Sequence, residues 1–194
     1  SMMVAYVPDS FGQAGNMPQI YRGFGIDTTL FWRGVSDDMA AHTDFTWRGD
    51  DGSTVLASQI PNGYYIGGNI PEEGPLVEKF WDEQCMDRAG RRAATDEVYF
   101  PVGFDQAPIR TNLPQIVAAR QAADPENTYH ISSLPEFMDD LRRAVDERTE
   151  PLEEVSGELL VGKHMRIHRS IFSSRSDLKA LNTQLQNYVV NVME

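Results

Sequence analysis

The order of apolar runs along the chain predicts an α/β fold with a largely parallel sheet. Three observations carry that expectation. Apolar runs of strand length occur at Met3–Val7 and Thr28–Trp32. Helix-spaced apolar residues, Met17, Ile20, Tyr21 and Phe24, lie between them. Strand-like and helix-like patterns then keep alternating to about residue 148, the pattern of a parallel sheet built from crossover helices.

Taken in order, the first strand delivers Pro8-Asp9-Ser10-Phe11-Gly12-Gln13 into the start of the first helix, and Gly23 and Gly25 stop that helix before the second strand. Phe45 and Trp47 alternate with polar neighbours, Thr54–Ala57 is another apolar stretch, and Gly49-Asp50-Asp51-Gly52 between them has turn chemistry, so a hairpin is expected. Asn62–Gly74 is rich in Gly, Asn and Pro and carries Tyr64 and Tyr65, which suits an ordered loop over a site. Pro75–Arg92 reads as a helix and Glu97–Pro101 as a strand leading to Gly103-Phe104-Asp105-Gln106. Leu113–Ala123 then reads as a helix and Tyr129–Ile131 as a strand. Leu134–Arg148 is a helix opened by a capping box, in which Ser133 accepts from the first helical amides, Glu136 reaches back, and Pro135 costs no hydrogen bond. From Asp177, Leu178, Leu181, Leu185, Tyr188 and Val192 recur at steps of 3, 4, 3 and 4 residues, the apolar seam of a helix made to pack on other helices. No partner follows it, so self-association through this helix is an expectation, and the chain reads as a piece of a larger enzyme.

Composition narrows the function. The chain has 194 residues, enough for one substantial core, and 17 Lys+Arg against 29 Asp+Glu give a formal net charge of −12. Such a surface repels nucleic acid and anionic membranes, and neither is expected as a partner. Cys85 is the only cysteine, so neither an internal disulfide nor a multi-cysteine metal site can form. No run approaches the roughly 20 apolar residues of a membrane span, and no signal peptide is evident. The chain therefore reads as soluble and cytoplasmic.

Asp9 and Asp105 each follow a predicted strand and precede a Gln by a few residues. In a parallel sheet both would emerge on one rim, where α/β proteins build their sites. Two carboxylates across a sugar-sized gap suit cleavage of a glycosidic bond, one attacking or stabilising the anomeric carbon and the other protonating the leaving oxygen. Either aspartate alone also suits a helix cap or turn. Trp32, Arg33, Tyr64 and Tyr65 are candidates to line a sugar site, through aromatic faces and fixed guanidinium donors, although Phe31 and Trp32 equally suit the core. His42, His130, His164 and His168 show no close metal-ligand spacing and read as surface or capping residues. The acidic stretch from Asp139 to Glu154 reads as a solvated helix face.

Pro8-Asp9-Ser10-Phe11-Gly12-Gln13, Met17-Pro18-Gln19-Ile20, Phe31-Trp32-Arg33-Gly34, Gly103-Phe104-Asp105-Gln106, Asn112-Leu113-Pro114, Gly157-Glu158-Leu159 and Ser173-Ser174-Arg175 with Leu178-Lys179 follow one another in order. That succession resembles the catalytic domain of bacterial α-mannosidases of glycoside hydrolase family 38. The resemblance implies that Asp9 is the nucleophile and a zinc ligand, that Asp105 is the general acid/base, and that Arg33 lies beside the nucleophile in the sugar subsite. It implies a retaining reaction on α-linked mannose with zinc as cofactor. The family's remaining zinc ligands, a His-x-Asp motif and a later histidine, have no counterpart in these residues, so the isolated chain is expected to bind metal weakly and hydrolyse little. The resemblance also divides the chain into a partial β/α catalytic domain at 1–150 and, at 151–194, a connection with the first helix of a helical bundle. The competing expectations are a non-catalytic sugar-binding or structural remnant, and a hydrolase of other specificity on the same carboxylate pair.

Overall fold

The computed structural model describes residues 2–72, 74–169 and 174–193; Ser173 of the last sequence motif lies outside them. The first apolar run forms β1 (Ala5–Val7), the helix-spaced residues form α1 (Met17–Gly23), and the second run forms β2 (Thr28–Phe31). The expected hairpin is β3 (Asp44–Arg48) and β4 (Thr54–Gln59), paired antiparallel with Phe45 opposite Ala57 and Trp47 opposite Val55. Its tight turn is closed by Gly52 at φ 86°. A fifth strand, β5 (Glu154–Ser156), pairs parallel to β3. The order across the sheet is β1-β2-β4-β3-β5, with β1, β2 and β4 mutually parallel.

Alternation of side chains across the strands divides the core in two. Ala5, Phe31, Val55, Ala57 and Trp47 point to one face, where Tyr21 of α1 and Leu159 cover them. Val4, Leu30, Trp32 and Ile60 point to the other, where α4 (Leu134–Asp146) lays down Phe137, Met138 and Leu141. Each of those three buried side chains contributes on the order of 1.5–3 kcal/mol. The capping box at the start of α4 is formed, with Ser133 Oγ accepting from the Glu136 amide and the Glu136 carboxylate accepting from the Ser133 amide. A satellite cluster of Ile66, Trp81 and Cys85 sits under Phe100 and Tyr129. Burial pushes the Cys85 thiol up to about 12.

Four expectations are corrected. Glu97–Pro101 is not a strand: Tyr99 stacks on Phe137 at 4.9 Å, and the Pro101 carbonyl accepts from the Gly67 amide, so this segment's contacts go to α4 and a neighbouring loop. Tyr129–Ile131 is likewise irregular. Tyr129 instead packs its ring on Trp81 and donates its hydroxyl to Asp124. Pro75–Arg92 is not one helix but α2 (Leu76–Phe80), a π turn at Trp81–Met86 and a 3-10 turn at Gly90–Arg92; the π turn is where Trp81 and Cys85 are buried. The acidic run to Glu154 does not remain helical either. Its end is β5, where Val155 enters the core and Glu154 pairs with Arg48 across the strands. Leu113–Ala123 forms α3 as expected. The C-terminal seam forms α5 (Ser176–Tyr188), which continues as a π turn over Val189–Met193 and buries none of its residues. No described helix is long and apolar enough to cross a membrane.

Candidate active site

The parallel register puts the two most informative side chains at matching heights. Val7 of β1 stands opposite Phe31 of β2, and Asp9 and Arg33 each lie two residues beyond that pair. β4 is parallel to β2, with Gln59 opposite Phe31, so the chain leaving β4 toward Tyr64 departs from the same rim. Three consecutive strands thus deliver Asp9, Arg33 and the Tyr64 loop to one end of the sheet, the usual place for a site in an α/β fold.

Arg33 is 6% exposed and Asp9 45% exposed. The guanidinium donates to Asp9 Oδ1 from Nε at 3.1 Å and from Nη2 at 2.5 Å. Its Nη1 donates to the carbonyl of Arg166 at 3.0 Å. The guanidinium carbon also lies 4.4 Å from the Phe11 ring centre and 4.1 Å from that of Trp32, so cation–π contact and hydrogen bonds define one orientation. Asp9 is therefore held by one oxygen, while Oδ2 accepts no hydrogen bond from the described residues.

The segment after β5 ties these elements together. Gln13 and Leu159 exchange backbone hydrogen bonds at 3.0 Å, and the Val161 amide donates to the Gly34 carbonyl at 2.9 Å. Gly34 is required there: it sits at φ 123°, and a Cβ would lie 2.3 Å from the Leu159 carbonyl oxygen.

Asp105 reaches the site by another route than a strand end. It lies on an irregular loop and is exposed, and the Tyr64 hydroxyl donates to its Oδ2 at 2.9 Å. That hydrogen bond, burial and the nearby charges of Asp9 and Asp105 push the Tyr64 phenol up to about 12, with Arg33 acting in the opposite sense. One phenol thus feels both carboxylates and the arginine. Trp32 is buried at 4% exposure beneath edge-to-face contacts with Tyr64 (5.6 Å) and Tyr65 (5.7 Å). It forms the floor of the site and presents little ring surface to a ligand. Phe104, next to Asp105, stacks on Tyr65 at 5.8 Å and 15° and is half exposed.

Sequence reading missed the Phe11 ring under Arg33 and the Arg166 carbonyl that anchors its far side. Arg166 is 133 residues from Arg33, and a backbone acceptor leaves no mark on residue type. His164 is drawn to Asp37 at 2.9 Å and His42 to Glu153 at 3.1 Å, as surface partners; His168 packs on Phe11 at 5.1 Å. Among the described residues no group of three or more His, Cys, Asp or Glu could hold a metal ion. Asp9 belongs to no such group among the described residues, and this donor set does not make the four-ligand site that zinc favours.

The chain is similar to a putative mannosylglycerate hydrolase of Halalkalibacterium halodurans, 27% identical over 98% of the chain and 22% of that protein. A 66-residue stretch is 35% identical to an alpha-mannosidase of Saccharomyces cerevisiae, covering 32% of the chain and 6% of the yeast protein. The crystal structure of an alpha-mannosidase from Enterococcus faecalis V583 superposes on 81% of the chain and 18% of its own length, at a TM-score of 0.73 and 27% identity. The chain thus spans about a fifth of the longest-matching of these relatives. Residues 1–159, which include every strand of the sheet and both aspartates, match the family model of the glycosyl hydrolases family 38 N-terminal domain, and the chain belongs to glycosyl hydrolase family 38.

Proposed function

We propose that this chain carries the carboxylate pair of a retaining α-mannosidase, with Asp9 as nucleophile and Asp105 as general acid/base. The observation that supports this reading best is the convergence on Tyr64: its hydroxyl holds Asp105, and its phenol feels the charge of Asp9 and Arg33. Family membership adds the substrate class, an α-linked mannoside.

In the first step Asp9 Oδ2 forms a bond to the anomeric carbon as the glycosidic C–O bond breaks, its electron pair going to the leaving oxygen. Asp105 gives that oxygen a proton. In the second step water attacks the anomeric carbon, Asp105 takes the water's proton, and the bond to Asp9 breaks. Arg33 orients Asp9 by gripping Oδ1 from a guanidinium that is itself wedged against Phe11 and Trp32. Tyr64 and Arg33 border the sugar subsite, and Trp32 supports them from below. Family 38 is metal-dependent. Asp9 is the one residue of this chain that we assign to the zinc.

The test uses the chain expressed with whatever its reading frame adds on either side. Asp9→Ala should lower hydrolysis of an aryl α-mannoside by at least about 10⁴-fold, as expected for loss of a nucleophile. Normal turnover by that variant would remove Asp9 from the mechanism. Asp105→Ala should spare substrates with good leaving groups, which need less protonation, and equal loss on good and poor leaving groups would count against the acid role.

A further inference from the structure

Asp105 poses a structural problem that its neighbours answer. A general acid must be held within a few tenths of an ångström of its target, yet this one stands on a loop with no helix or strand of its own and is exposed to solvent. Its fixed contact is with Tyr64, whose ring is fixed in turn. Tyr64 meets Trp32 edge-to-face at 5.6 Å and 89°, and Tyr65 at 5.8 Å and 80°. Trp32 follows directly on β2 and is buried. Gly63, at φ 78°, lets the chain turn against Trp32 where a Cβ would come 2.9 Å from the indole. A rigid path therefore runs from the sheet through Trp32 and Tyr64 to Asp105 Oδ2.

We propose that Tyr64 is the positioning residue of the general acid: it fixes the Asp105 carboxyl from Oδ2 and leaves Oδ1 to carry the proton toward the leaving group. This rests on the α-mannosidase reading above and gives Tyr64 a role toward the acid in addition to its place beside the sugar. The chemistry favours it. When Oδ1 passes its proton to the glycosidic oxygen, Asp105 becomes a carboxylate, and the phenol hydrogen bond to Oδ2 becomes charge-assisted and roughly twice as strong as its neutral form. The gain appears as the leaving group departs, so it lowers the barrier instead of tightening substrate binding. In the second step the same bond presents Oδ1 as the acceptor for the water's proton.

Two measurements test this. In the hydrolysing protein, Tyr64→Phe should lower kcat/KM about tenfold or more on an alkyl α-mannoside, whose leaving group needs the proton. A dinitrophenyl α-mannoside should lose less than about threefold in kcat/KM, which reports the first step and not the second step that both substrates share. Tyr188→Phe, which removes a hydroxyl from the exposed face of α5, should behave as the parent does. Equal loss on both substrates, or no loss on either, would overturn the proposal. The second measurement follows the tyrosine ring carbons by NMR during an alkaline titration of the 194-residue chain and needs no turnover. The Tyr64 phenol, pushed up to about 12 by Asp105 first and by burial and Asp9 after it, with Arg33 opposing, should titrate lower in Asp105→Asn. An unmoved phenol there would also overturn the proposal. The two failures are separable. An unaltered protein that hydrolyses neither substrate defeats the reaction assigned above and the proposal with it. Turnover retained alongside an unmoved phenol defeats the role of Tyr64 alone.

Discussion

At the scale of single residues, the charged groups divide by what burial does to them. Asp44 opens β3 at 2% exposure, with its Oδ2 accepting from the Thr43 hydroxyl at 3.1 Å and the Ala94 amide at 3.2 Å. Burial holds its carboxyl above the ordinary range, against the pull of hydrogen bonds from Ser58, Ala94 and Thr43. The native state therefore binds this proton more tightly than the unfolded chain does. The stabilisation is complete below the unfolded value near 3.8 and is lost as pH rises through the native value. Asp44→Asn has no such proton to lose. Its urea midpoint should gain on that of the unaltered protein between pH 4 and pH 7, and a difference that stays constant across that range would refute this. Arg33 shows the other outcome. It is as buried as a core residue, and five donors in a rigid fork let it satisfy Asp9 and the Arg166 carbonyl at once. Its position directly after an apolar strand was legible in the sequence, because a charge so placed needs partners; the identity of the partners was not.

At the scale of elements, the site depends on two loops docking on each other. The Gly67 amide donates to the Pro101 carbonyl at 2.8 Å. Arg110 crosses between the loops, donating from Nη1 to the Gly68 carbonyl at 2.6 Å and from Nη2 to the Ile70 carbonyl at 2.5 Å. Arg110→Ala removes two charge-assisted bonds, each typically worth about 1.5–3 kcal/mol when fully formed, with partial exposure of the arginine reducing the net effect. Local opening of residues 62–70 should become easier. Limited proteolysis should cut the variant in that loop at least severalfold faster while its thermal midpoint moves by only a few degrees; equal cleavage rates would show that Arg110 is not the clamp. The loop at 62–72 was readable from its Gly, Asn and Pro content, and α4 from its capping box. The strand expected at 97–101 was not realised, because an apolar run of strand length also suits a segment whose side chains pack on a helix. β5 was hidden for the converse reason: three residues of strand with one buried side chain, Val155, give too short an alternation to recognise.

At the scale of the whole molecule, the described chain has a sheet with apolar layers on both faces and a terminal helix outside them. Leu178, Leu181, Leu185 and Tyr188 are each more than half exposed, so α5 shares none of the core's stabilisation. Removal of residues 174–194 should leave the thermal midpoint within about 2 °C, since a loss of 1 kcal/mol would shift a domain of this size by about 2–4 °C. A larger fall would reveal packing of α5 on the domain. The sequence by itself determined the α/β class, the first four strands, the capped helix, and the order of motifs that carries the family, because hydrophobic period, turn chemistry and local capping act over a few residues. It also singled out Asp9, Arg33 and Asp105. Tertiary structure alone decided how they meet. Parallel register sets Asp9 beside Arg33, a backbone carbonyl 133 residues away completes the arginine's coordination, and Tyr64 brings in an aspartate that no strand delivers. Those contacts depend on distances between segments far apart in the chain, which packing of the two faces sets and no local pattern of residue types encodes.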